Sequence, residues 1–282
     1  MKTILFPTDF SENSLHAAQY AGMLARKFDA KLVILHVFTH IISLSSQSQL
    51  MAQNVILDDQ LEKNAEKNLC DFSDKLIQIC NLPKVQVEQK LAVGIVTDII
   101  VRTAEEVKAD MIVIGTKGVT NAIDKLLGSN AESVVKSAKR PVWVVPYTAC
   151  LNVPLTFLYA SDLEENETNA TQTLLDFATP LGAECKVIHI NEYFDKEVNE
   201  ASKATIKNLK SEFSGKNITF KELNRKEVVE GIEAYVSTHK PDVLALAIYD
   251  KSFFSNLFLG SITTHFVEKA NTPLLVFKKE KI

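Results

Sequence analysis

The sequence predicts an α/β protein built from two tandem, doubly wound parallel-sheet domains with five strands each. Three observations carry this prediction. Short apolar runs rich in β-branched residues alternate with helical patterns through both halves of the chain. The length of 282 residues suits about two domains, and a 46% share of hydrophobic residues is enough for two ordinary cores. The second half of the chain also repeats motifs of the first.

The internal repeat holds its spacing across separate motifs, which chance does not produce. The matching segments are Thr3–Asp9 with Thr156–Asp162 at an offset of 153, and Asp110–Gly115 with Asp242–Ala247 and Pro141–Val145 with Pro273–Phe277 at an offset of 132. We therefore predict one domain at residues 1–148 and a second at 154–282, related to each other as pseudo-two-fold copies.

The first strand and helix of the first half follow from a short apolar run and a helix start. We predict a strand at residues 2–8 and a helix from Ser11 to Phe28. Serine is a favoured N-cap residue because its hydroxyl accepts a hydrogen bond from an unpaired backbone N–H. Small apolar residues repeat along this helix at the spacing of one face, namely Leu15, Ala18, Gly22 and Ala25.

The second strand is predicted at residues 31–38, where a nearly continuous apolar run is typical of a strand buried on both faces. A long helix is predicted over 58–80. The stretch 40–57 between them is poor in charge, and it is interpreted either as a lid over the ligand crevice or as a packed or disordered connector.

The remaining elements of the first half are strands at 84–91, 110–114 and 141–145, a helix after Gly94 and a helix from Ser129. Strands joined by helical crossovers run parallel, and ligands of such sheets bind beyond the carboxyl ends of the strands. Asp9, Val37 and Gly115 each stand at such an end, so we expect them to meet in one crevice.

A glycine-punctuated loop joins the fourth strand to the next helix. Its spacing is G-x2-G-x9-G-S, from Gly115 through Gly118 to Gly128 and Ser129. Glycine allows close approach to the backbone, and a helix N-terminus favours an anion, so the loop suits a phosphate chain. The alternative is that these residues serve only as turns and as a capping box that pairs Ser129 with Glu132. The spacing is neither that of a Walker loop nor that of a Rossmann turn.

The strand followed by this loop resembles the universal stress protein family, and the resemblance extends over nearly the whole chain as two fused copies. It implies a five-stranded fold like that of the adenine-nucleotide alpha-hydrolases, with ATP as the ligand, with or without Mg²⁺. It also implies that the residue matching Asp9 contacts the nucleoside and that those matching Val37 and Ile114 border the base. The predicted site comprises Pro7, Thr8, Asp9, Val37, Ile114, Gly115, Thr116, Gly118, Gly128, Ser129 and Asn130.

Two residues in or near the predicted site have alternative interpretations. Asp9 could simply help to cap the following helix. His36 invites a catalytic role, but it recurs as His189 in the second half, which favours a structural role in a duplicated strand. No catalytic residue and no metal site is assigned.

The second half keeps the fold but loses the phosphate loop. Ala247 and Asp250 stand where the first half has Gly115 and Gly118, and Asp250 would bring a negative charge beside a polyphosphate. We therefore predict one nucleotide per chain, bound in the first domain. The family resemblance also implies that strands 141–145 and 273–277 pair within the chain, while homodimer formation is left open.

Composition narrows the classes of function. A net charge of −4 and a pI near 5.9 argue against a nucleic-acid or anionic-membrane partner, and no apolar run is long enough to span a bilayer. The amino terminus lacks a signal peptide and the four cysteines lack disulfide or metal spacing, which predicts a cytoplasmic protein with free thiols. The leading hypothesis is a cytoplasmic stress-response protein that binds ATP. A nucleotide-independent interaction module and a slow ATPase are the alternatives.

Overall fold

A computed structural model describes residues 1–39, 48–116, 129–164, 166–192, 198–249 and 272–279. The described chain forms two compact units. The first contains the residues up to Thr116 together with 129–140, and the second begins at Pro141. The last strand of the first repeat therefore belongs to the second unit.

The first unit is a parallel sheet with the strand order β3-β2-β1-β4. After β1 the chain builds outward through β2 and β3, and it then returns to place β4 on the other side of β1. This reversal of strand order is the mark of a doubly wound sheet, as predicted. The elements are β1 (Thr3–Thr8), α1 (Glu12–Phe28), β2 (Lys31–Phe38), α2 (Ser48–Cys80), β3 (Val87–Val93), α3 (Val96–Glu106), β4 (Met111–Gly115) and α4 (Ser129–Ser137).

The second unit repeats this order in β8-β7-β6-β9 and adds two strands, β10 and β5, giving β5-β10-β9-β6-β7-β8. Its strands run parallel except β5, which is antiparallel to β10, with Val144 opposite Leu274 and Val142 opposite Val276. The predicted pairing of the two terminal strands is thus confirmed. The elements are β5 (Val142–Val145), β6 (Thr156–Ser161), α5 (Glu167–Ala178), β7 (Glu184–Glu192), α6 (Val198–Glu212), β8 (Ile218–Arg225), α7 (Val228–His239), β9 (Val243–Tyr249) and β10 (Leu274–Lys279).

The start of α2 differs from the prediction. The helix begins at Ser48 and not near residue 58, so residues 48–57 are helical and not a disordered connector. Residues 40–47 lie outside the described part of the chain. Because residues 48–57 carry no charge, the sequence did not mark a polar face there. The helix nevertheless continues without a break into the charged segment after residue 57. The third strand also begins later than predicted, because a 3₁₀ turn occupies Lys84–Gln86.

The predicted start of α1 is confirmed. Ser11 has extended backbone angles, and its hydroxyl accepts a hydrogen bond from the N–H of Ser14 at 3.1 Å. Asp29 ends the helix in the left-handed conformation, with a φ of 49°. Ala18, Gly22 and Ala25 on the predicted apolar stripe are buried, whereas Leu15 is half-buried.

Matching aspartates hold the amino ends of the first strand in both repeats. One Asp110 carboxylate oxygen accepts the backbone N–H of Thr3 at 2.8 Å, and the matching oxygen of Asp242 accepts that of Thr156 at 2.9 Å. Both aspartates lie at the edge opposite to the predicted ligand crevice, so their role in the repeat is structural.

Three other features of the described residues bear on the sequence predictions. All four cysteines are free, as expected from their spacing. No helix in the described ranges combines the length and the apolar character that crossing a membrane requires. The largest fully buried side chain is that of Trp143, the single tryptophan of the chain.

Trp143 ties β5 into the core of the second unit. Its ring packs edge-on against Phe157 of β6, at a centroid distance of 5.8 Å, and against Phe177 of α5, at 6.1 Å. Such aromatic packing adds to the free energy that burial of the large ring already contributes. A strand that belongs to the first repeat by sequence therefore contributes the largest side chain of the second unit's core.

Replacing Trp143 with alanine should lower the free energy of unfolding by about 3–5 kcal/mol, because the substitution removes a fully buried ring and leaves a cavity. Trp143→Phe should cost clearly less, since it keeps an aromatic ring in the same place. Urea unfolding followed by far-UV circular dichroism measures both. Equal stability of the two variants would contradict this placement of the ring.

Candidate functional site

The carboxyl ends of three neighbouring strands bring the predicted site residues to one level. Thr8, the last residue of β1, lies opposite His36 of β2. On the other side, Leu5 lies opposite Ile112, and continuing this parallel register places Thr8 beside Gly115 of β4. The residues that come next are Val37 in β2, Asp9 just after β1 and Thr116 just after β4. They therefore lie at three adjacent strand ends, a row in which neighbouring strands are about 4.8 Å apart.

Asp9 has one carboxylate oxygen engaged locally. Its Oδ1 accepts hydrogen bonds from the backbone N–H of Ser11 at 3.0 Å and from the Ser11 hydroxyl at 2.6 Å. Asp9 thus supports the residue that caps α1, which is the alternative role considered from the sequence. The side chain is nevertheless exposed, and among the described residues Oδ2 accepts no hydrogen bond.

Thr8 positions the turn that carries Asp9. Its buried hydroxyl accepts the N–H of Phe10 at 3.0 Å and shares a hydrogen bond with the Ser14 hydroxyl at 2.8 Å. Phe10 has a positive φ of 64°, an unusual conformation for a residue with a large side chain. The hydroxyl bond to its N–H helps to hold this conformation and so directs the chain from β1 into α1.

His36 has the structural role predicted from its recurrence. Its Nδ1 lies 2.8 Å from the Thr8 carbonyl oxygen, and since a carbonyl only accepts, Nδ1 carries the proton. In the second repeat, His189 Nδ1 donates in the same way to the Ser161 carbonyl at 2.9 Å. The His36 ring also stacks on Phe10, with centroids 4.2 Å apart, and thereby braces the turn after β1.

Gly115 has a packing reason to be glycine. A Cβ added at this position would stand 3.0 Å from the Cβ of Ala17 on α1, closer than side chains pack. The absence of a side chain therefore lets α1 lie against β4. This finding gives Gly115 a role that does not depend on a ligand.

The other predicted site residues fall into two groups. Ile114 and Thr116 are buried, Pro7 and Val37 are half-buried, and Asn130 is exposed in the first turn of α4. Gly118 and Gly128 lie outside the described residues, and Ser129 is described only as the first residue of α4. The structure thus brings Asp9, Val37, Ile114 and Thr116 to one edge, while the geometry of the glycine loop remains a sequence-based prediction.

The turn after the first strand of the second repeat has the same backbone design. Leu163 has a φ of 56°, and its N–H donates to the Ser161 hydroxyl at 3.0 Å. Asp162 matches Asp9, and its Oδ1 accepts the N–H of Glu164 at 3.1 Å. The two turns thus share these hydrogen bonds, but the helices that follow them begin differently. Helix α1 begins at Glu12, whereas α5 begins at Glu167, which matches Ser14, after Asn166 with a φ of 62°.

A buried ionic cluster distinguishes the second repeat. The Lys279 ammonium donates to the carboxylates of Asp162 and Glu167, and the Lys279 side chain is fully buried. Glu167 is 3% exposed and also accepts hydrogen bonds from the hydroxyls of Tyr159, at 2.8 Å, and Ser161. Three donors thus converge on one buried carboxylate.

Burial raises the pKa of the Glu167 carboxyl above its ordinary value. Lys279, the Ser161 hydroxyl and the Tyr159 hydroxyl oppose this effect because they favour the carboxylate, whereas the neighbouring charge of Asp162 adds to it. Loss of Lys279 would therefore raise the pKa of Glu167 further.

Comparison with known proteins identifies the repeat. The model of the universal stress protein family matches residues 1–146 and again residues 155–278. The chain belongs to the universal stress protein family. Each half is a separate match, so this is a tandem member with two family domains.

Relatives of the family support this assignment at the level of sequence and fold. The universal stress protein MJ0531 of Methanocaldococcus jannaschii is 34% identical over 146 residues, which cover 51% of this chain and 81% of that protein. A universal stress protein from Archaeoglobus fulgidus has a crystal structure with a TM-score of 0.69 and 18% identity, covering 99% of this chain and 98% of that one. One family member, solved in complex with cAMP, is 29% identical with a TM-score of 0.40, covering 51% of this chain and 96% of that one.

Sequence reasoning missed the ionic cluster of this universal stress protein, although the repeat offers a signal for it. At the offset of 153, Tyr159 stands where the first repeat has Phe6, and Glu167 stands where it has Ser14. At the offset of 132, Lys279 stands where the first repeat has Tyr147. These replacements are distant in sequence, and only the fold shows that they meet.

Substitution of Gly115 by alanine should destabilise the protein by about 1–3 kcal/mol, because the new methyl group and that of Ala17 cannot rotate away from each other. Ala17→Gly in the same chain should recover part of this loss by removing the opposing methyl group. Thermal unfolding of the single and double variants measures the effect. A double variant no more stable than Gly115→Ala would refute the packing role.

Lys279→Met should lower the free energy of unfolding near neutral pH by about 3–5 kcal/mol, because it leaves the buried carboxylate of Glu167 without its cation. The loss should be smallest below pH 4.5, the ordinary pKa of a glutamic acid, and should grow as the pH rises. The reason is that a raised folded-state pKa makes the folded state hold its proton longer than the unfolded state, so stability falls as pH rises through that window. Without Lys279 this pKa rises further.

The matched control is Lys279→Met combined with Glu167→Gln. Glutamine still accepts the hydroxyls of Tyr159 and Ser161 but does not ionise, so the double variant should lose the added pH dependence. Urea unfolding across the pH range provides the comparison. A loss in the single variant that is independent of pH would show that Glu167 is not the titrating group.

Proposed function

We propose that this universal stress protein binds an adenine nucleotide, ATP, in its first repeat alone. The observation that carries the proposal is the row of Val37, Asp9 and Thr116 at the carboxyl ends of β2, β1 and β4. This is where the order of the strands reverses, which is the usual ligand position in a doubly wound sheet.

Asp9 is proposed to contact the ribose. Its Oδ1 is held by Ser11, which fixes the orientation of the carboxylate, and the exposed Oδ2 is proposed to accept a ribose hydroxyl. A carboxylate held in advance pays less entropy on binding than one that is free to rotate. The same bonds that serve the helix cap would thus also prepare the site.

The base is proposed to lie across the row, between the half-buried Val37 of β2 and the apolar end of β4 at Ile114. Such apolar contacts suit an aromatic base. The phosphates are proposed to lie toward Thr116, Gly118, Gly128 and Ser129. The amino end of α4 begins at Ser129, where unpaired backbone N–H groups favour an anion. Any Mg²⁺ would then be brought by the phosphates.

Isothermal titration calorimetry with ATP tests the proposal, with a stoichiometry of one per chain as the expected result. Asp9→Asn should weaken binding by roughly tenfold to a hundredfold, because it removes a charge-assisted hydrogen bond. Gly118→Asp should weaken it by about a thousandfold, the cost of placing two unit charges 4 Å apart at an effective dielectric of 20. ADP and cAMP serve as further probes.

The repeat supplies a matched control. Asp162→Asn makes the same chemical change at the equivalent turn of the second repeat, so it should leave ATP affinity and stoichiometry unchanged. Absence of binding to the intact protein at millimolar ATP would remove the proposal and favour the interaction module. Equal weakening by Asp9→Asn and Asp162→Asn would instead argue against one specific site.

A further inference from the structure

We propose that Lys279 is a built-in ligand of the second repeat, whose ammonium closes that repeat's crevice to external ligands. The inference concerns Asp162, Glu167 and the carboxyl edge of β9 and β10. It does not rest on nucleotide binding by the first repeat.

The first argument is the occupation of Asp162. This carboxylate matches Asp9 and stands on a turn with the same hydrogen bonds. Asp9 is exposed beside small hydroxyl groups, whereas Asp162 receives the ammonium of Lys279, which has no exposed surface of its own. The Asp162 side chain is itself 40% exposed, and Lys279 donates to its Oδ1, so a ligand hydroxyl or amine that approached this oxygen would have to displace a charged donor already in hydrogen-bonding contact.

The second argument is the length of the strands at the same edge. In the first repeat, β4 ends at Gly115. In the second repeat, β9 continues past the matching Ala247 to Tyr249, and β10 pairs with it to the end, with Lys279 opposite Tyr249. In the second repeat, paired strand thus continues two residues beyond the position that matches the end of β4, and this extra length carries Lys279 to the level of Asp162.

The third argument is that the cluster is complete in itself. Glu167 receives the hydroxyls of Tyr159 and Ser161 as well as the Lys279 ammonium, and Ser161 is further tied through its carbonyl to His189. Buried charges are tolerated when they are paired and their remaining hydrogen-bonding capacity is satisfied. The two carboxylates thus form a site for a cation, and the Lys279 ammonium of the chain itself is that cation.

Chemical rescue tests the proposal. Lys279→Ala deletes the side chain beyond Cβ, and the deleted part is equivalent to propylammonium. Added propylammonium should stabilise this variant in a saturable manner, shifting its unfolding equilibrium about tenfold at ten times its Kd. Wild type should show no saturable response, because its own ammonium fills the position.

Three controls define the site. Lys278→Ala changes the neighbouring lysine on the same strand and should not be rescued. Lys279→Ala combined with Glu167→Gln should respond more weakly, because one carboxylate is gone. Tetramethylammonium has the same charge but no N–H donor and should not replace propylammonium. Rescue of the Lys278 variant, or no saturable rescue of Lys279→Ala, would overturn the proposal.

A second measurement uses the wild-type protein and does not depend on how the variants fold. Lysines of the native chain are acetylated with an N-hydroxysuccinimide ester and quantified by peptide mass spectrometry. Lys279 should react far more slowly than Lys84, whose side chain is 84% exposed, and the difference should vanish in urea. Equal rates in the native protein would show that the ammonium does not stay in the cluster.

Discussion

Parallel pairing across the point where strand order reverses is the constraint on which the rest of this structure depends. In each repeat the first strand has parallel neighbours on both sides, β2 and β4 in one and β7 and β9 in the other. The turn after that first strand therefore lies between two other strand ends. A side chain on this turn therefore either is exposed to solvent and ligand or is paired with neighbouring side chains.

The two repeats share the hydrogen bonds of the turn after the first strand but differ in the side chains around that turn. The histidine bond to the last carbonyl of the first strand, the hydroxyl bond to a residue with positive φ and the aspartate that accepts a backbone N–H all recur. In the first repeat the neighbour on the following helix is Ser14, whose short hydroxyl pairs with Thr8. In the second it is Glu167, which brings a charge into the same buried place.

A buried glutamate requires the other members of its cluster. Without Lys279 it would be a desolvated charge, and without the hydroxyls of Tyr159 and Ser161 its oxygens would lack donors. Conversely, Lys279 without the two carboxylates would be a buried, unpaired ammonium. Each replacement alone is costly and the set together is stable, so these positions behave as one unit that separates the second repeat from the first.

Sequence reasoning reached the fold because the repeat, the alternating pattern and the N-cap at Ser11 are local or periodic signals. It also identified His36 as structural, since the residue recurs in the second repeat. It failed at the start of α2, where residues 48–57 carry little charge to mark a helical face. It missed Lys279, because a contact between residues 117 positions apart has no local signature. For Gly115 it offered ligand approach or a turn and missed the packing role, since the contact with Ala17 depends on how α1 packs.

The duplication gives β10 a pairing partner from the other repeat. The outer side of β10 pairs with β5, and Trp143 of β5 packs between Phe157 and Phe177, so the second unit uses a strand from the first repeat to cover an edge and complete its core. An uncovered strand edge invites pairing with other chains, and a tandem chain removes that risk internally. β10 then has two structural roles, since it pairs with β5 over Leu274–Val276 and carries Lys279 at its end. A repeat that supports this strand is stabilised by a closed edge whose charges are paired. A repeat that binds a ligand must leave the same edge open.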